Sequence, residues 1–342
     1  MSQLLASYLR VAGLVVVVAA LVLGTAPAVA SPRGVNGQIA FDRFDPFGNQ
    51  FSFTANPDGG FAQPVPNVPP SSGPSWSHSG QKLAFTVLTA DGRITTATSN
   101  PDGTDYNPLP INDPTLNLSC SPGAWSANDA QLACQSWDTT NPLRNGIYTI
   151  SSADGSDLTR LTNPNGGDDE PGAYSPNGKQ LVFARFAQAP FVAPCASAYC
   201  EPLGLFVINT DGTHLRRITP PGTIIQPGND GDWSPQGNEI VFSRHVTPDV
   251  YSSMWMIHAN GTGLHEIHIQ GLDCGASYSD PNGFGCHGPR WSPGGKKIIF
   301  AANSPATGTN IYTANADGTD VTQVTFDGSD DDPAWGTHPL VP

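Results

Sequence analysis

The chain is short of charge: 13% of its residues are Asp, Glu, Lys or Arg, and the formal balance is -14. A chain so poor in cations would be repelled by nucleic-acid phosphates, so nucleic acid is not expected as a partner. Long apolar runs are missing after the first thirty residues, so nothing later can span a bilayer. Reaction motifs are missing too. There is no G-x-S-x-G nucleophile elbow and no H-E-x-x-H, and His265-Glu266-Ile267-His268 lacks the spacing that puts two imidazoles on one helical face. These histidines are expected on an outer strand. Cys-x-x-Cys pairs and EF-hand spacings are also absent.

The first thirty residues read as a signal peptide. Arg10 precedes an apolar run over 11–24, and Ala28-Val29-Ala30 offers the small residues a signal peptidase needs. The run is shorter than the roughly 20 residues required to cross a membrane. Cleavage after Ala30 is expected, leaving 31–342 as one domain that is secreted or kept in the periplasm or cell envelope. No cysteine stands directly after that point to carry a lipid, and no stable membrane insertion is expected after cleavage.

What the chain has in plenty is glycine and proline, 37 and 33 residues, and they sit at fixed places in a repeat. Trp-Ser-Pro, then Gly two residues on, recurs about every fifty residues: Trp76-Ser77-His78-Ser79-Gly80, Trp125-Ser126-Ala127-Asn128-Asp129, Tyr174-Ser175-Pro176-Asn177-Gly178, Trp233-Ser234-Pro235-Gln236-Gly237, Trp291-Ser292-Pro293-Gly294-Gly295, and a truncated Trp335-Gly336. That period is the one expected of propeller blades.

Each repeat reads as four strands. The first carries the aromatic residue, whose ring is expected to fill the wedge between neighbouring blades. The second is short and apolar, as in Leu83-Ala84-Phe85 or Ile240-Val241-Phe242. A third, such as Ile147-Tyr148-Thr149-Ile150, runs into an Asp-Gly or Asn-Gly turn that supplies the positive φ a tight hairpin needs. The fourth is expected to end in Leu161-Thr162, Ile218-Thr219 or Val324-Thr325.

The two chain ends are complementary. Gln38-Ile39-Ala40-Phe41 matches a second strand with no tryptophan strand before it, and Pro333-Ala334-Trp335 is a first strand with nothing after it. Together they make one blade. Turns at Asp58, Asp102, Asp154, Asp211, Asn260 and Asp317 independently count six. The expected fold is all-β: a six-bladed β-propeller of four-stranded antiparallel blades, its ring closed by strands from both ends, which removes free sheet edges.

The ordered combination W-S-P-x-G-x-x-[IL]-x-F, [IL]-[YF]-x-[IV], D-G-[TS], [LI]-T resembles the TolB-type propeller repeat, also called the PD40 or WD40-like repeat, across essentially all of 31–342. The resemblance implies an exported bacterial propeller. It does not imply a pathway.

Six cysteines in an exported protein read as three disulfides. Cys120 and Cys134 are symmetric about the turn at Ala127; Cys195 and Cys200 share one loop; Cys274 and Cys286 share the connection leading to Trp291. Sequence alone leaves other pairings open, but these keep every bridge local.

Second-to-third loops and blade-to-blade connections open on the same face, which also carries the longest insertions. Phe191, Tyr199, Tyr251, Tyr278 and Phe284 stand there as candidate binding-face residues. Acidic clusters precede three inner strands: Asp168 and Asp169, Asp230 and Asp232, Asp330 and Asp331. Converging on a channel, they are candidate ligands for a calcium ion, and they also suit turn caps. The expected function is a monomeric, non-catalytic scaffold binding a protein, peptide or envelope polymer through the loop-rich face. A metal-dependent propeller hydrolase or lyase is the alternative, and a purely structural envelope component the third.

Overall fold

The computed structural model describes residues 34–111, 113–120, 125–138, 140–187, 202–225, 228, 231–247 and 249–342. Its strands form six separate four-stranded antiparallel sheets in chain order around a ring. Blade 1 comprises Ser71–Trp76, Leu83–Leu88, Ile94–Ser99 and Asn107–Pro108, and blades 2 to 5 begin in turn with the inner strands Leu116–Ser119, Asp168–Tyr174, Asp232–Trp233 and Gly285–Trp291. Blade 6 combines the C-terminal strand Asp330–Trp335 with Ile39–Phe44, Gln50–Ala55 and Gln63–Pro64. Ile39 pairs with Trp335 and Arg43 with Asp330, so the two ends do close one blade. The signal-peptide reading and the proposed Cys195–Cys200 bridge lie outside the described residues, as do Phe191, Tyr199 and Asp230.

The repeat motif is explained by its hydrogen bonds. In the inner turn the serine hydroxyl accepts from the backbone N–H five residues on: Ser77 from Lys82 at 3.0 Å, Ser175 from Gln180 at 3.0 Å, Ser234 from Glu239 at 3.1 Å and Ser292 from Lys297 at 3.1 Å. The serine hydroxyl thereby reinforces a turn that backbone bonds also close, Gly80 N–H donating to Ser77 O and Ser77 N–H to Lys82 O, each at 2.9 Å. The glycine of the motif adopts positive φ, 67° at Gly80 and 79° at Gly237, where a Cβ would be strained. In the outer turn the aspartate accepts from the N–H two residues on, as Asp102 does from Thr104 at 3.0 Å and Asp211 from Thr213 at 2.9 Å.

One expectation is corrected. The outer strands are very short, Thr159–Arg160, Arg216–Arg217 and Thr322–Gln323, and stop before the apolar-Thr pairs. Those threonines end the ladder instead. Thr162 accepts through its hydroxyl from Ile147 N–H at 2.9 Å, Thr219 from Leu205 at 3.0 Å, and Thr325 from Ile311 at 2.9 Å. A side-chain oxygen takes the place of the strand carbonyl, so an N–H in the first half of the third strand is satisfied without a longer partner.

The second-strand phenylalanines Phe41, Phe85, Phe183, Phe242 and Phe300 are fully buried. Blade 2 has Cys134 at that position, bonded to Cys120. The repeat aromatics do fill between blades: Trp76 packs with Ala334 and Ala40 of blade 6, and Trp233 with Val182 and Ala184 of blade 3.

Candidate functional site

The carboxylates on the loop-rich face are spent on holding blades together. Asp169 is fully buried and receives two hydrogen bonds from Arg185, at 2.6 and 2.8 Å. Asp330, also fully buried, is gripped in the same way by Arg43 at 2.6 and 3.0 Å. Asp168 accepts from Gln135 of blade 2 at 2.6 Å, and Glu170 from Gly228 N–H at 2.8 Å near the start of blade 4. Nearer the opposite face, Asp232, directly before Trp233, accepts from Trp291 N–H of blade 5 at 2.7 Å. Asp331 meets His287 of blade 5 at 2.9 Å. Asp42 of blade 6 accepts from Gly73 N–H of blade 1 at 2.7 Å. An acidic group thus ties five successive blade boundaries.

The electrostatics follow from this packing. Burial pushes the Asp168 carboxyl up to about 7, against the opposing Gln135 hydrogen bond. Burial also lifts Asp42 well above the usual range, reinforced by the charge of Asp332. Burial would depress His287, yet the charge and hydrogen bond of Asp331 outweigh it and raise the imidazole to about 9. Burial would conversely raise Asp331, but His287 holds it below its ordinary value. The pair is therefore an ion pair at neutral pH.

Of the expected calcium ligands Asp230 lies outside the described residues, and the other five do not gather into one set. Among the described residues no three His, Cys, Asp or Glu side chains are placed to hold a metal ion. Asp169 and Asp330 each face an arginine, which satisfies the lone pairs a cation would need.

Blades 4 and 5 carry the described members of the candidate binding-face set, Tyr251, Tyr278 and Phe284. Tyr251 and Tyr278 meet edge to face with centroids 4.7 Å apart, and Tyr278 is 43% exposed. The Tyr278 hydroxyl lies 3.4 Å from His245 Nδ1, and that nitrogen is 2.6 Å from the Val250 carbonyl. Beneath them Cys274 is bonded to Cys286. Phe284 is half-buried against this bridge and the blade 5 core, so it anchors the loop more than it presents a surface. His265 on the outer strand of blade 4 and His268 just past its end are both exposed.

The opposite face holds something the sequence reading passed over. At the axis, on the side of the Trp-Ser turns, a cavity of about 160 Å³ is lined by Trp76, Trp125, Tyr174, Trp233, Trp291 and Trp335, one from each blade. Asp232 and Arg290 add polar edges. Trp125 donates to the Ser75 carbonyl at 3.0 Å and Trp335 to Gly37 at 3.0 Å. The signal was the motif itself: residues at one repeat position share one radius in a ring.

No family model and no curated protein matches the sequence. Solved structures do match in fold. TolB from Acinetobacter baumannii superimposes with a TM-score of 0.64 at 17% identity, covering 87% of this chain and 66% of its own. A TolB from Agrobacterium tumefaciens gives 0.57 at 15% identity, covering 85% and 90%. The nidogen propeller of a nidogen–laminin complex gives 0.60 at 10% identity, covering 87% and 98%. The fold is that of TolB-type six-bladed propellers, and the chain spans just under two thirds of the Acinetobacter protein's length.

Proposed function

We propose that this protein is an exported, non-catalytic propeller that binds a protein or peptide through the loop-rich face of blades 4 and 5. The observation that carries the reading is the Tyr251–Tyr278 pair. Of the two aromatic rings, Tyr278, 43% exposed, stands on the loop closed by the Cys274–Cys286 bridge, and Tyr251 stands on the neighbouring loop, whose N–H at Tyr251 donates to the Ala276 carbonyl at 2.8 Å. Rigid tyrosines lose little conformational entropy on contact, and such rings are favoured anchors in protein interfaces. A disulfide-pinned loop is already ordered before the partner arrives.

Two further observations support it. The disulfides suit an oxidising compartment outside the cytosol. The acidic groups that a metal-dependent hydrolase or lyase would use are instead paired with arginines inside blades 3 and 6 and with His287 across the boundary of blades 5 and 6. Among propellers of this fold, that of nidogen is seen with a protein partner, laminin.

The test uses immobilised protein with its bridges intact, exposed to solubilised envelope from the native host. A partner held by the wild type should bind the double variant Tyr251→Ala/Tyr278→Ala at least about tenfold more weakly, as for an aromatic hot spot, while melting temperature stays within a few degrees. Undiminished affinity would contradict the assignment of this face.

A further inference from the structure

Three blades share the sequence Phe-x-Arg at the end of the second strand: Phe41-Asp42-Arg43, Phe183-Ala184-Arg185 and Phe242-Ser243-Arg244. Their registers coincide, since Phe41 pairs with Phe53, Phe183 with Phe206 and Phe242 with Trp255. Each guanidinium lies over the third-strand ring: Arg43 is 4.7 Å from the Phe53 centroid, Arg185 5.3 Å from Phe206 and Arg244 3.9 Å from Trp255. In blades 6 and 3 the arginine also donates two hydrogen bonds to a buried carboxylate, Arg43 to Asp330 and Arg185 to Asp169, each aspartate five positions before the repeat aromatic.

Blade 4 lacks that carboxylate. Five positions before Trp233 stands Gly228, and the inner strand is cut down to Asp232–Trp233. Arg244 Nε is buried with no hydrogen-bond partner among the described residues. Glu266, across from Trp255 on the outer strand, acts on Arg244 only through its charge. Burial draws the Arg244 guanidinium down from its ordinary value, the direction expected where desolvation is not offset by a close carboxylate. The indole is fixed beneath it, because Trp255 Nε1 donates to Ser253 Oγ at 2.9 Å. A half-buried guanidinium is thus held flat on an aromatic ring, its fork geometry set and, among the described residues, no carboxylate hydrogen-bonded to it.

We propose that Arg244 on Trp255 is a subsite for one carboxylate of the bound protein or peptide, occupying the place that Asp169 and Asp330 fill in blades 3 and 6. The inference rests on the reading of the loop-rich face as a protein-binding surface. The chain's charge of -14 repels a polyacid at long range, so an isolated Asp, Glu or C-terminal carboxylate suits the site better than an acidic polymer.

The test uses the whole protein with N-acetylglutamate, N-acetylglutamine and galacturonate as probes, and Arg244→Gln and Arg244→Lys as variants. Arginine Nε–H resonances are followed by NMR, that of Arg244 being assigned from its loss in Arg244→Gln. N-acetylglutamate should shift that resonance saturably, and N-acetylglutamine should leave it in place. Affinity should fall at least about tenfold in Arg244→Gln and also in Arg244→Lys, which keeps the charge but loses the fork. Arg244→Gln should melt within a few degrees of wild type, because no internal ion pair is lost. An unmoved resonance, equal affinity in wild type and Arg244→Gln, or galacturonate binding as tightly as N-acetylglutamate would overturn the proposal. If those results coexist with a partner lost on Tyr251→Ala/Tyr278→Ala, only the carboxylate subsite falls and the face remains.

Discussion

Asp330 and Arg43 are 287 residues apart in the chain and meet in a two-pronged ion pair of 2.6 and 3.0 Å. The pair fastens the C-terminal strand to the first N-terminal strand, and Arg43 also reaches Asp327 at 2.6 Å. Removing the buried Asp330 side chain leaves Arg43 without its main partner. Asp330→Ala should cost about 3–5 kcal/mol, the usual penalty for breaking a buried pair. Deleting residues 333–342, which include Trp335, should lower the melting temperature further. Thermal denaturation of both variants checks the closure, and an unchanged transition would refute it.

The His287–Asp331 pair gives stability a pH window. His287 is raised to about 9, so its contribution is complete below its unfolded value of about 6.5 and is lost as pH rises through about 9. Asp331 is lowered, so its contribution is complete above its unfolded value of about 4 and is lost as pH falls further. With His287 24% exposed, the alkaline loss should be about 1–3 kcal/mol. Melting of wild type and His287→Gln at pH 6 and 9.5 should show a difference that shrinks at the higher pH.

Gly336 follows the last repeat tryptophan and lies under the first. A Cβ there would come 2.5 Å from Trp76 Cγ. Gly336→Ala must push the indole out of the blade 6 to blade 1 seam, at about 1–3 kcal/mol for overpacking. The denaturation midpoint in urea should fall accordingly.

The bridges Cys120–Cys134 and Cys274–Cys286 close loops of 14 and 12 residues. Each should stabilise the fold by about 3 kcal/mol through restriction of the unfolded chain. Non-reducing peptide mapping should find both, together with a Cys195–Cys200 bridge. Cys274→Ser/Cys286→Ser should also weaken partner binding, because it frees the loop bearing Tyr278.

Much of this was legible in the sequence because it is local or periodic. The Trp-Ser turn, the Asp-Gly turn and the orphan strand Ile39-Ala40-Phe41 announce blade number and closure, and short cysteine spacings announce two bridges. The Arg43–Asp330 and His287–Asp331 pairs were not legible. Their partners are brought together by the ring, not by spacing, so the acidic clusters looked like ligands for a cation. The aromatic cavity was hidden for a related reason: a residue that packs between blades on one side can line the axis on the other. The role of Thr162, Thr219 and Thr325 could not be read either, since a hydroxyl capping a strand and a threonine inside one have the same sequence.

The central claim is that blades 4 and 5 present the binding surface. Hydrogen exchange of the protein alone and with its captured partner tests it most directly. Protection gathered in 245–253 and 272–286, around Tyr251 and Tyr278, is the predicted result. Protection confined to the Trp-Ser turns about the axial cavity, with those loops unchanged, would contradict it.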